Sequence, residues 1–223
     1  MAEFRTLTST ARPAVEVNQV LRNTYLLLAF TVAFACVTGT VAAALNVPFF
    51  GGTFGFILYL VGFFGLSYLV NKTANSVWGL FWTFMFTGFI GFAAGPIVNY
   101  YLAVNPGVVA QALGVTAATF LGLSLYTITT KKDFSFLSSF LVIGFFVVIG
   151  VIICSFFFDL SAFAAAISGM MVLIACALML WQTSAIVLGG ETNYIIATNN
   201  LFVSIYILFM NLLHLFGIMG GDE

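Results

Sequence analysis
Charge is what this sequence has least of. Lys, Arg, Asp and Glu supply 6% of its 223 residues, hydrophobic residues supply 62%, and the mean hydropathy is +1.16. Such a chain has too little polar surface to cover a soluble globule. Cysteine is also scarce: Cys36, Cys154 and Cys176 fall inside apolar runs and lack metal-ligand spacing. They read as small packing residues, and no metal or cofactor site is expected. No basic patch points to nucleic acid. No lysine follows Lys132, which removes Schiff-base chemistry of the retinal type. The first apolar run opens near Tyr25 and is long enough to span, so it reads as an uncleaved anchor rather than a signal peptide.

What fills the chain instead is helix-length apolar sequence. Seven segments, near 23–45, 54–71, 78–102, 108–129, 135–158, 161–188 and 195–217, each reach the length a bilayer requires. The fold class is therefore all-α and polytopic. The joints between segments are too short to form domains. All six Lys and Arg residues fall on one side of the membrane that these spans define. Arg5, Arg12 and Arg22 precede the first span, Lys72 follows the second, and Lys131 and Lys132 follow the fourth. Positive charge in short loops stays cytoplasmic, so the N-terminus is expected inside and the C-terminus in the periplasm.

Two parts are expected: a flexible cytoplasmic tail over 1–21 and a transmembrane body over 22–223. The tail is rich in Ser and Thr from Thr6 to Arg12, and Pro13 argues against a continuous helix. Arg5, Thr8 and Arg12 are its candidate contacts for a partner. Gly88, Gly91 and Gly95 in the third span, and Ala162, Ala165, Ala166 and Gly169 in the sixth, recur at spacings that let helices approach closely. The fifth span carries Phe145, Phe146, Phe156, Phe157 and Phe158 and reads as lipid-facing. Asp159 and Ser161 read as caps for the sixth span.

Charge at membrane depth marks function by default, yet Lys72, Lys131, Asp159 and Glu191 all map to span ends. What remains is polar and neutral. Gln182, Thr183 and Ser184 lie late in the sixth span. Asn199, Asn200, Asn211 and His214, with Ser204, form a candidate polar cluster in the seventh. These groups read first as interhelical hydrogen bonds, and second as the lining of a small-ion path through spans six and seven. His214 would lie about 6 Å from the outer end of its span. A Ser124–His214 catalytic pair of the rhomboid kind fails on depth, since the two differ by about 15 Å across a core about 30 Å thick. No enzyme is expected.

Several stretches resemble the Bax inhibitor (TMBIM) family, in particular its bacterial members that modulate the FtsH membrane protease. They are Val20-Leu21-Arg22-Asn23-Thr24-Tyr25, Lys72-Thr73-Ala74-Asn75, Gly95-Pro96-Ile97, Lys132-Asp133-Phe134-Ser135-Phe136-Leu137 and Gly189-Gly190-Glu191-Thr192-Asn193-Tyr194-Ile195. The last is the most specific, and the similarity runs nearly the whole chain from Val20. The resemblance implies a seventh helix at the centre, wrapped by the other six. It implies a multi-pass protein of the bacterial inner membrane that associates with FtsH and its HflK–HflC partners as inhibitor and slow substrate. Gly189, Gly190, Glu191, Asn193 and Tyr194 would then form a cytoplasmic contact loop. The family's calcium leak rests on two aspartates that titrate together, and by motif position these fall at Gln182 and Ser204. Neither residue can carry a negative charge, so neither can form a proton-controlled latch of that design.

Overall fold
The computed structural model describes residues 14–47 and 52–220. Seven helices follow in order: α1 (Ala14–Ala44), α2 (Gly52–Thr73), α3 (Val77–Val104), α4 (Pro106–Thr130), α5 (Leu137–Ser155), α6 (Ala164–Val187) and α7 (Tyr194–Met219). Each is long and apolar enough to cross a membrane. They match the expected spans closely, with one larger difference. Helix α1 starts at Ala14, so residues 14–21 of the expected tail are helical. Glu16, Asn18 and Gln19 interrupt the apolar residues there, and Glu16 suits the positive pole of the first turn. Arg5, Thr8 and Arg12 lie outside the described residues.

The turns carry their own stop and start chemistry. Lys131 adopts a left-handed conformation (φ 50°) and ends α4, its amide donating to the Thr127 carbonyl. Asn105 caps α4 by accepting from the Gly107 amide, with Pro106 next in the first turn. The Ser161 amide donates to Asp159 at 2.9 Å in the short 3-10 turn before α6, but neither residue caps α6 as expected: that helix starts after Phe163, with no side-chain cap.

Helix α7 is central: it packs on α1, α2, α3, α4 and α6. Helix α5 departs from the expected wrap and lies chiefly against α6. Only Gly144 of α5 is buried, and the five phenylalanines at 145, 146, 156, 157 and 158 all face outward. The most extensive pairing is α1 with α3, and glycine makes it possible. A Cβ on Gly91 would run into the Ala35 carbonyl and stand 2.7 Å from the Ala35 Cα. One on Gly95 would stand 2.6 Å from the Gly39 carbonyl oxygen. The small residues of α6 behave differently. Ala162, Ala165 and Ala166 are exposed, and nothing lies within 4 Å of a Cβ placed on Gly169. Their spacing permits a close approach, but the neighbour at that end is the loosely attached α5. Two cysteines also fail as packing residues, since Cys36 and Cys154 are exposed.

Because every connection is short, successive helices run antiparallel and the molecule has two faces. One, the N-terminal face, carries the start of α1, the α2–α3 turn, the α4–α5 loop and the α6–α7 loop. Arg22, Lys72, Lys131 and Lys132 all sit toward it.

Candidate functional site
The polar chemistry of the fold gathers at this N-terminal face, where α6 ends. Successive helical residues point about 100° apart, so Gln182, Thr183 and Ser184 address three different neighbours. The Gln182 side-chain oxygen accepts from the Ser204 hydroxyl of α7 at 3.0 Å. Thr183, 1% exposed, turns toward α1 and α4, where it stands beside Tyr25. The Ser184 hydroxyl donates to the Lys132 carbonyl at 3.0 Å and accepts from the Phe134 amide at 3.1 Å, which fastens the α4–α5 loop to α6. Beyond that latch, Ser135 holds the Asp133 carboxyl below its ordinary range through its side chain and its amide, the latter at 2.8 Å.

The α6–α7 loop is built rather than loose. Gly189 (φ +78°) lets the chain leave α6, and the amides of Gly190 and Glu191 both donate to the Ala185 carbonyl, at 2.8 and 2.9 Å. The Glu191 carboxylate accepts from the amides of Thr192 and Asn193, both at 2.8 Å. Asn193 then acts in two directions. Its oxygen accepts from the amides of Ile195 and Ile196 and caps α7. Its Nδ2 donates to the Ala74 carbonyl at 3.1 Å and the Asn75 oxygen at 2.8 Å, so the loop is tied to the α2–α3 turn. Both partners belong to motifs that the sequence singles out. An Asn193→Ala variant is expected to lose about 2 kcal/mol of stability. Asn193→Asp keeps the cap but loses the two donated bonds, so thermal unfolding should place it between Ala and the native residue.

Next to this loop lies a cavity of about 330 Å³, with Glu16, Gln19 and Asn23 of α1 on one side and Gly189, Glu191 and Tyr194 on the other. The loop residues expected from the sequence therefore stand together with the first turns of α1. The polar residues of α7 do not form one cluster. Asn199 is buried and its amide reaches Ser67 of α2 at 3.5 Å, while only the main-chain carbonyl of Asn200 is engaged, accepting from Ser204 at 3.1 Å. Asn211 donates back to the Ile207 carbonyl at 2.8 Å. His214 Nδ1 pairs with the Ser168 hydroxyl of α6 at 2.8 Å, at the opposite end of the bundle from Ser124. Asn199 and His214 are about 22 Å apart along a helix that rises 1.5 Å per residue. Adjacency in an apolar segment mimics a cluster that the helix disperses. Among the described residues, no group of three His, Cys, Asp or Glu stands close enough to hold a metal ion.

Comparison with known proteins agrees with this architecture. The family model described as inhibitor of apoptosis-promoting Bax1 matches residues 17–221. An uncharacterised protein of Pseudomonas aeruginosa is 48% identical over 97% of this chain and 97% of its own. YccA of Escherichia coli, named a modulator of FtsH protease and in another strain an inner membrane protein, is 45% identical over 92% of both chains. An uncharacterised membrane protein of Vibrio cholerae is 40% identical over 98% of this chain and 97% of its own. With seven membrane-length helices and a family match over nearly its full length, the chain belongs to the Bax inhibitor (TMBIM) family.

Proposed function
We propose that this protein is a non-enzymatic modulator of an FtsH-class AAA+ protease in a bacterial inner membrane. The observation that carries the reading is the 45% identity, over 92% of both chains, to a protein named for that role. The N-terminal face offers suitable apparatus: a loop held by six hydrogen bonds from Gly190 to Asn193, beside the helix that leads to the tail. In this reading the tail, with Arg5, Thr8 and Arg12, is the segment a protease grips, and the body resists extraction. HflK and HflC are the accompanying partners. Affinity purification in mild detergent tests it. FtsH should be recovered with the intact protein, and its absence, together with an unchanged lifetime of the protein in cells depleted of FtsH, would sink the proposal.

Orientation is part of the same reading. With Arg22, Lys72, Lys131 and Lys132, all the Lys and Arg among the described residues, toward the N-terminal face, that face should be cytoplasmic. An alkaline phosphatase fused after Glu223 should be active and a fluorescent protein at the same place dark. The reverse pattern would turn the molecule over.

A proton-gated ion leak through α6 and α7 is the competing reading, and the Gln182–Ser204 pair weighs against it. Both side chains are neutral at any physiological pH. Calcium prefers carboxylate oxygens, and a neutral amide–hydroxyl bond cannot open on deprotonation. In liposomes, calcium flux is expected to stay flat between about pH 6 and 8, the range in which a coupled carboxylate pair could titrate. A severalfold rise across that window would restore the leak reading and direct attention to His214.

A further inference from the structure
We propose that the cavity beside the α6–α7 loop is the docking site of this chain's own N-terminal segment, with the Arg5 guanidinium set between the carboxylates of Glu16 and Glu191. The cavity, about 330 Å³, takes one wall from α1 and one from the loop. Glu16, Gln19 and Asn23 recur at three- and four-residue spacing and so share one face of α1. Across from them stands the hydrogen-bonded loop with Glu191 and Thr192. Two of the four carboxylates among the described residues line this one space, on a face that is otherwise basic. None of the described cations Arg22, Lys72, Lys131 and Lys132 lines it. The Glu191 bonds to the Thr192 and Asn193 amides both use Oε1, so Oε2 is left for another donor.

A cation is what such a space takes, because it relieves the repulsion of the two carboxylates and satisfies their oxygens. A metal ion fits less well: among the described residues, no group of three His, Cys, Asp or Glu stands close enough to hold one. A guanidinium fits better, with its donors in a fixed fork for the carboxylates and for the side-chain oxygens of Gln19 and Asn23. Val17 and Val20 supply apolar wall for its methylene stem and for the neighbouring Phe4. The chain carries such a group on the segment that ends where the cavity begins. Ala14 opens α1, and Glu16 lies in its first turn. Arg12 stands only two residues before Ala14, too little chain to turn back. Arg5 stands nine residues before it, a reach of up to about 30 Å. The wall it must reach runs about 10 Å along α1, from Glu16 to Asn23. In the function proposed above, the docked segment is a protease handle stowed against the body; the docking itself does not rest on that reading.

Two measurements on the full-length protein in neutral detergent test this. The first is the rate of trypsin cleavage after Arg5, followed by mass spectrometry; Pro13 shields the bond after Arg12 from trypsin. A docked Arg5 cannot enter the trypsin pocket, so the Glu16→Gln/Glu191→Gln double variant should be cut severalfold faster than the native chain. Glu191→Gln keeps an oxygen for the Thr192 and Asn193 amides, so the loop stays closed. Asp133→Asn, on the same face but outside the cavity, should be cut at the native rate. Salt at about 1 M, where screening acts within about 3 Å, should remove the difference between the double variant and the native chain. The second measurement replaces Phe4 by photoreactive benzoylphenylalanine. Irradiation should link it to Gln19, Thr192 or Tyr194 of the same molecule, and the double variant should lose most of that yield. Equal cleavage of the native chain and the double variant would overturn the proposal. Faster cleavage of Asp133→Asn would do so as well, by assigning the effect to the charge of the whole face. Cross-linked dimers in place of internal links would give the cavity to a second copy and overturn it too. Neither measurement contains an AAA+ protease, so their failure would leave the proposed function standing, and recovery of FtsH with the protein tests that function separately.

Discussion
Removing residues 4–12 is expected to lengthen the cellular half-life of this protein severalfold and to slow turnover of another substrate of the same protease. In the function proposed above, an AAA+ motor must engage a segment free of packed structure before it pulls, and the Ser/Thr-rich sequence up to Pro13 is the candidate on the face proposed to be cytoplasmic. The deletion removes Arg5, Thr8 and Arg12 but stops short of Ala14, where α1 begins, so Glu16 and the loop cavity stay in place. Arg22, Lys72, Lys131 and Lys132 still fix the orientation. The shortened protein should dock but not be drawn in, and so occupy the protease longer. The measurement is a chase after synthesis is stopped, following both the protein and a second membrane substrate. Equal half-lives for the intact and shortened chains would remove the tail from the mechanism and leave the Gly189–Tyr194 loop as the next candidate.

The second large effect is structural. Gly91→Leu is expected to cost about 3 kcal/mol, at the upper end of ordinary overpacking, because the new side chain would meet backbone atoms of Ala35 as well as the Thr38 hydroxyl. In a chain of this size that is a fall in Tm of roughly 10 °C, together with loss of monodisperse protein in detergent. Gly122 in α4 is the matched control, since a Cβ there meets nothing within 4 Å. Gly122→Ala should be neutral or stabilising by about 0.5–1 kcal/mol. Equal behaviour of the two variants would mean that the glycines of α3 are not what sets the distance between α1 and α3.

Most of this architecture is legible in the order of residues alone, for a physical reason. A bilayer demands about 20 apolar residues per crossing, and that demand writes itself along the chain without reference to tertiary contacts. The close approach of α3 is legible too, because Gly88, Gly91 and Gly95 share one helical face. Neighbours are not legible. Ala162, Ala165 and Ala166 around the start of α6 have an equally suitable spacing, yet they face outward, since spacing says that a helix can be approached and not that another helix is there. The polar residues of α7 mislead in the same way: they share a segment of sequence but face α2, α6 or their own backbone. The convergence of Gln182, Thr183 and Ser184 on three elements depends on where α1, α4 and α7 stand. So does the second role of Asn193, whose partner at Asn75 is 118 positions away. The start of α1 escapes a reading by hydropathy because Glu16, Asn18 and Gln19 interrupt the apolar residues of its first turns.

The glycine-lined contact between α1 and α3 also has a mechanical meaning. A motor that pulls on the N-terminus loads α1 before any other helix. That helix belongs to the broadest interface of the bundle, with close backbone contact where Ala35, Gly39 and Ala43 meet Gly91 and Gly95. Extraction would have to shear this contact at the outset, whereas pulling from a loop beside α5 would begin at the weakest attachment in the fold. The direction of pull therefore sets the order of rupture. A chain arranged in this way presents its greatest resistance to force at the first step of unravelling.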